Sequence, residues 1–253
     1  MTATPLTAQA PDLSIVVPMK NEADNVAGLV ADIETACAGM TFEIILVDDG
    51  SDDSTAEVVR DLQAERPHLR LLQHPQSAGQ SAAVHSGVHA ARADLICTMD
   101  GDRQNPPENV PALIAPFAGG NPDLGLVAGQ RVDRQDTKAK LLASRLANAI
   151  RGWLLNDATR DTGCGLKAFR RDAFLDIPYF NNMHRYLPAM FTAYGWRVAH
   201  VDVTHAAREA GTSNYTNFGR FLAGIYDLIG VTWLIKRRKR ARPLPEDDHP
   251  GTA

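Results

Sequence analysis

The sequence predicts an α/β protein with a mostly parallel, twisted sheet flanked by helices. Three observations carry this. Short apolar, β-branched runs recur at 13–18, 42–47, 69–72 and 94–99. The stretches between them place apolar residues three and four apart, the spacing of a helix that buries one face. Such strand and helix alternation makes βαβ units with right-handed crossovers and a parallel sheet. Third, carboxylates gather just after two of the runs, at Asp48-Asp49-Gly50-Ser51 and Asp100-Gly101-Asp102-Arg103-Gln104. Open α/β sheets bind ligands at the carboxyl ends of their strands.

The elements follow in order. Leu13 to Pro18 opens as a strand closed by proline. Residues 21–38 are helical, with Val26, Leu29, Val30 and Ile33 inward and Asn21 as N-cap. The second strand leads to a helix starting at Asp53 or Ser54, with Val58, Val59 and Leu62 inward. After the third strand, residues 79–91 form a helix rich in small residues, which predicts close packing. Further on, strands are expected at 124–129, 165–169 and 198–205, the last with the alternation of an edge strand. Helices are expected at 138–155, 171–175, 184–194 and 218–235.

Composition sets the class. With 253 residues, 44% hydrophobic and 22% charged, the chain can bury one large core. A net charge of −4 gives no pull toward nucleic acid. Cys37, Cys97 and Cys164 are far apart and odd in number, which supports neither a disulfide framework nor a zinc site. No run of about 18 apolar residues is present, so a spanning helix is not expected. The first eleven residues lack the basic and apolar regions of a signal peptide. The chain is expected to divide into a disordered lead at 1–11, a catalytic domain at 12–216, an amphipathic helix with a basic cluster at 217–241 and a disordered tail at 242–253.

The two acidic turns suggest the chemistry. Asp102 and Gln104 offer hard oxygen donors suited to Mg²⁺ or Mn²⁺, and such a metal usually neutralises a bound phosphate. Asp100 would stand nearer the ligand. A solvated turn before the helix start at Asn105-Pro106-Pro107 is the plainer alternative. Asp48 and Asp49 exceed what capping requires. Glu22 suits either a binding role or a helix first turn. Gln80 lies at a helix N-terminus, a place suited to phosphate or ribose. His184 fits either a packed structural residue or a donor contact.

A set of segments gives the sharpest expectation. These are Val16-Val17-Pro18-Met19-Lys20-Asn21-Glu22, the segment from Val47 to Thr55, and Asp100-Gly101-Asp102-Arg103-Gln104-Asn105-Pro106. They continue with Gly129-Gln130-Arg131, Ser144-Arg145, the segment from Asp161 to Arg170, and Arg208-Glu209-Ala210-Gly211-Thr212-Ser213-Asn214-Tyr215. In this order they resemble the GT-A-type glycosyltransferases of family 2. Within that family they are most similar to the polyprenyl-phosphate sugar synthases, the dolichyl-phosphate mannose synthase type. The resemblance spans about 13–235.

The resemblance implies an inverting, metal-dependent transferase that moves a sugar from a UDP- or GDP-sugar to a dolichyl- or undecaprenyl-type phosphate. It implies Asp102 and Gln104 as ligands of Mg²⁺ or Mn²⁺, Asp49 and Asp100 at the nucleotide, and Pro18 and Glu22 flanking the base. Arg131, Ser144, Arg145 and Arg208 would cradle the acceptor phosphate, with Asp102 and the three arginines the groups that carry catalysis. An acceptor phosphate is ionised at pH 7 and needs such a cationic cradle rather than a general base. Planar guanidinium forks suit phosphate. The chain departs from the pattern at Cys164-Gly165-Leu166, where Ser-Gly-Phe is common, and at Asn214, where lysine is usual. The motifs of processive polysaccharide synthases are not evident. A family 2 enzyme acting on a soluble glycan is the alternative. The sugar, the base and the oligomeric state stay open.

The end of the chain raises a membrane question. Phe218, Phe221, Leu222, Ile225, Leu228, Ile229, Trp233 and Leu234 recur at helical spacing, and Lys236-Arg237-Arg238-Lys239-Arg240 follows. This fits an interfacial anchor at the cytosolic face, with cations on anionic headgroups. It also fits a last core helix with a solvated basic tail. Asp227 and Arg220 weigh against spanning.

Overall fold

The side chains of the first strand, β1 (Leu13–Met19), decide the layering. Successive residues of a strand point to opposite faces. Leu13, Ile15 and Val17 enter one hydrophobic cluster and Val16 enters the other, so β1 is buried on both sides. In the computed structural model, residues 10–131, 151, 152, 154, 155, 157, 159, 161–205 and 217–238 are described, with side chains from 224 onward in the last span.

The chain runs β1, α1 (Ala23–Ala36), β2 (Phe42–Asp48), α2 (Thr55–Gln63), β3 (Leu69–Gln73), α3 (Gln80–Ala90), β4 (Leu95–Thr98), α4 (Val110–Ala118) and β5 (Leu124–Arg131). It continues with β6 (Lys167–Arg170), α5 (Arg171–Leu175), α6 (Leu187–Ala193), β7 (Arg197–Val203) and α7 (Asn217–Arg237). The sheet order is β3-β2-β1-β4-β6-β5-β7. β1 pairs in parallel with β2 and β4, β2 with β3, and β5 with β7. β6 runs antiparallel to both β4 and β5.

The expected strand at 165–169 is therefore reversed relative to its neighbours, which hydropathy alone does not encode. That reversal brings the segment before β6 to the same sheet edge as the carboxyl ends of β1, β2, β4 and β5. One face of the sheet packs on α1, α2 and α4 through residues such as Leu29, Ile33, Val59 and Leu113. The other packs on α3, α5, α6 and α7 through Val84, Phe174, Phe191 and Val231.

The small residues of α3 serve the close packing expected of them. A Cβ on Gly87 would stand 2.3 Å from Val16 Cγ1, so only glycine lets this helix lie so near β1. The three cysteines are free and buried. The edge position of β7 also agrees with expectation.

Two expectations need correction. Asn21 does not cap α1: it sits in a left-handed conformation (φ 56°) and its Oδ1 accepts the Asp52 N–H. The first turn of α1 is capped from across the crevice, where Asp53 Oδ2 accepts the Ala23 N–H and Thr55 Oγ1 accepts that of Glu22. Asp53 Oδ1 also accepts the Thr55 N–H that opens α2. The helix expected at 184–194 breaks into a 3₁₀ turn (Met183–Arg185) and α6, because Pro188 at the start of α6 lacks a donor. The helix expected at 138–155 falls mostly outside the described residues, which are helical at 151–152 and 154–155.

α7 settles on the domain by one face. Val231 is fully buried, Leu228 and Ile235 pack beside it, and Asp227 accepts the Asn182 side-chain amide at 3.0 Å. The opposite face exposes Ile225, Tyr226, Ile229 and Trp233. Among the described residues no helix is long and apolar enough to cross a membrane.

Candidate active site

Strand direction assembles the site. Pro18 ends β1, the Asp48-Asp49 turn ends β2, and Asp100 follows β4. Lys167 opens β6 opposite Thr98, and Arg131 ends β5. One pocket at this edge is lined by Pro18, Gln80, Asp100, Gly165, Lys167 and His184.

Asp100 is the hub of that pocket. Its Oδ1 accepts the Gln80 side-chain amide at 2.7 Å and its Oδ2 that of Asn105 at 2.8 Å. Burial and the nearby charge of Asp102 push its carboxyl above the usual range, against Lys167, Asn105 and Gln80. Crowded carboxylates of this kind are what a cation relieves. Asp102 and Gln104 lie half-buried on the turn that follows, where Asp102 Oδ1 accepts the Gln104 N–H at 3.2 Å. The Asn105 Oδ1 is buried and takes no bond from the protein.

Among the described residues no three His, Cys, Asp or Glu groups converge as a ready-made metal cage. The donor set nonetheless fits Mg²⁺ or Mn²⁺, which bind through one or two carboxylates and share the remaining positions with phosphate and water.

Asp49 is used internally. Its Oδ1 accepts from His74 Nδ1 and the Ala78 N–H, and its Oδ2 from Ser77 Oγ and the Gly79 N–H, all within 2.9 Å. Burial raises its carboxyl, but these four bonds outweigh that and hold it at about 2. Asp49 thus shapes the 74–79 loop that delivers Gln80. Gly50 (φ 67°) lets the loop close in, since a Cβ there would stand 2.7 Å from the Ser77 nitrogen. Glu22 occupies the N-cap position of α1, and its Oε2 accepts the Asn25 amide at 2.5 Å.

Arg131 is held in a fork. Its Nε and Nη2 donate to Asp161 at 2.6 and 2.9 Å, leaving Nη1 out of that pairing. The aspartate and the wider field of Asp100 keep the guanidinium firmly charged. Ser144, Arg145 and Arg208 lie outside the described residues.

Two participants, Lys167 and Asp161, had no role assigned from the sequence. Lys167 is fully enclosed, with its ammonium donating to the Cys164 carbonyl. Burial lowers its pKa, opposed by Asp100 and Asp161. A lysine inside an apolar strand run is the signal that marks it. Asp161 stood within a motif but had no assigned partner until the fold brought Arg131 to it. His184 lies against the pocket with Nδ1 2.7 Å from Ser81 Oγ. Burial first, then the charges of Lys167 and Arg185, push it down to about 3, so it stays neutral.

A seven-stranded α/β sheet with an Asp-x-Asp turn at its carboxyl edge defines a GT-A-type glycosyltransferase. Residues 14–177 match glycosyl transferase family 2, and the chain belongs to that family. It is 35% identical over 241 residues to the dodecaprenyl-phosphate galacturonate synthase of Rhizobium johnstonii, covering 93% of this chain and 70% of that one. The fold is shared with mannosyl-3-phosphoglycerate synthase from Rubrobacter xylanophilus (TM-score 0.66, 19% identity, 94% of this chain and 79% of that). It is also shared with a mannosyltransferase from Pyrobaculum calidifontis in complex with GDP-Man and Mn²⁺ (TM-score 0.63, 16% identity, 93% and 66%).

Proposed function

We propose that this glycosyltransferase moves a sugar from a nucleotide-sugar to a polyprenyl phosphate. The observation that carries the proposal is the presence, at one sheet edge, of an Asp-x-Asp-x-Gln turn and an arginine at the end of β5 whose Nη1 lies outside its pairing with Asp161. A phosphate oxygen of the acceptor attacks the anomeric carbon. The bond from that carbon to the donor diphosphate breaks, the configuration inverts, and the nucleoside diphosphate leaves with the electron pair. No proton need move.

In this reading Asp102 and Gln104 hold Mg²⁺ or Mn²⁺, which would neutralise the diphosphate. Pro18, Glu22, Asp49, Gln80 and Asp100 form or shape the donor side, with Asp49 acting through its loop. Arg131, Ser144, Arg145 and Arg208 form the acceptor cradle. The relative named for galacturonate makes a uronic acid donor the first to try.

The outer face of α7 supports a membrane-facing acceptor. Tyr226 is 80% and Ile229 66% exposed, with Trp233 beside them and Lys236 and Arg237 in the last turn. Apolar stripes ending in cations bind the interface of anionic membranes. We place the enzyme peripherally at the cytosolic face, where nucleotide-sugars are available.

The test is release of nucleoside diphosphate from UDP- and GDP-sugars, UDP-galacturonate among them, with Mg²⁺ or Mn²⁺ and with or without a short polyprenyl phosphate. Lipid-dependent turnover with one donor, lost in Asp102→Ala, is the expected result. Turnover indifferent to lipid would move the assignment to a soluble acceptor.

A further inference from the structure

Two locally unfavourable choices and a carboxylate converge on the Asp-x-Asp-x-Gln turn. Arg103, between Asp102 and Gln104, adopts a left-handed backbone (φ 58°). For a long side chain that conformation is uncommon and persists only where its surroundings impose it. Gly28 sits inside α1, where glycine is poorer than alanine. Asp32, one turn further along α1, points its carboxylate at the same place.

Together they make sense. The Arg103 guanidinium reaches back over α1, and its Nη2 donates to Asp32 Oδ2 at 2.8 Å. It lies so close to the helix that a Cβ on Gly28 would stand 2.9 Å from Nη1 and 3.0 Å from Cζ. Glycine at 28 is therefore the seat of the guanidinium and Asp32 its anchor.

We infer that Arg103, Asp32 and Gly28 form a clasp that fixes the turn so that Asp102 and Gln104 are already placed for a divalent cation. This rests on the metal-site assignment above. Arg103 and its anchor touch neither metal nor substrate in this scheme; they are positioning residues. Side chains here are 32% (Arg103) and 45% (Asp32) exposed, and exposed ion pairs add little to global stability. The effect of the clasp is thus on the geometry of the turn rather than on folding.

Gly28→Ala separates the two roles. It removes no polar group and improves helix propensity, yet its methyl displaces the guanidinium. The experiment measures Mn²⁺ binding directly, by the electron paramagnetic resonance of free Mn²⁺ in the presence of UDP or GDP, alongside thermal melting. Expected are Mn²⁺ affinities weakened roughly threefold to tenfold in Arg103→Ala, Asp32→Asn and Gly28→Ala. Gly28→Ala should melt no lower than the parent. Unchanged Mn²⁺ affinity in all three, with Asp102→Ala losing it, would overturn the clasp alone. A parent whose Mn²⁺ binding survives Asp102→Ala would overturn the metal-site assignment, and the clasp with it.

Discussion

Replacing Gly165 by alanine moves Asp100 without removing any polar atom. Gly165 precedes β6, and the strand reversal lays its Cα against the Asp100 carboxylate. An added Cβ would stand 2.3 Å from Oδ2 and 2.5 Å from Cγ. Ordinary van der Waals contact begins at 3.4 Å, so the carboxylate must retreat by roughly 1 Å. It cannot do so and keep both the Gln80 and Asn105 amides, which grip opposite oxygens. A displacement of about 1 Å in a binding group costs on the order of a hundredfold in rate. The folded state loses at most about 2 kcal/mol, since hydrogen bonds to a carboxylate are partly replaced by water.

The assay is initial-rate release of nucleoside diphosphate with saturating polyprenyl phosphate, with melting temperature measured on the same preparation. Gly125→Ala is the control, because its Cβ would strike Trp196 Cβ at 2.6 Å in the core at the amino end of β5, the opposite end from Arg131 and the pocket. That variant should lose about 1–3 kcal/mol of stability and keep its turnover while folded. Gly165→Ala should do the reverse. Turnover of Gly165→Ala within threefold of the parent would refute the role given to Asp100.

Two further outcomes are expected. Asp49 titrates at about 2 when folded and near 3.9 when unfolded. Its stabilisation is therefore complete above about pH 4 and lost as pH falls toward 2. In urea unfolding, the gap between parent and Asp49→Asn should shrink over that window, and a gap independent of pH would contradict the hydrogen-bond account. On α7, the double substitution Ile229→Glu and Trp233→Glu should cut co-sedimentation with phosphatidylglycerol vesicles by more than about tenfold, since each buried apolar side chain is worth about 1.5–3 kcal/mol. Melting should stay the same because both side chains face solvent. Equal partitioning of variant and parent would remove α7 from the membrane.

Much of the fold was legible because burial on both faces writes itself as continuous apolar runs. β1, β2 and β4 appear where Leu13, Phe42 and Leu95 begin such runs, and the half-buried edge strand β3 at the shorter run from Leu69. The acidic turns were legible because carboxylates interrupt that pattern at strand ends. Asn21 misled because capping was supplied from another loop, by Asp53 and Thr55, which local spacing cannot reveal. α7 bears out the core-helix reading on one face, while its other face is open to solvent.

The sequence by itself determined the class of protein, the parallel half of the sheet, and the position of the acidic turn after β4. Those features depend on residues within one element or one motif, where hydropathy period and side-chain chemistry suffice. Only the tertiary structure decided that β6 runs backwards, that Arg131 is forked by Asp161, that Asp49 braces the 74–79 loop, and that Arg103 reaches Asp32 across α1. Each of these joins groups about 30 residues or more apart in the chain. Partners at that distance are chosen by how the layers pack and not by any local preference of the chain.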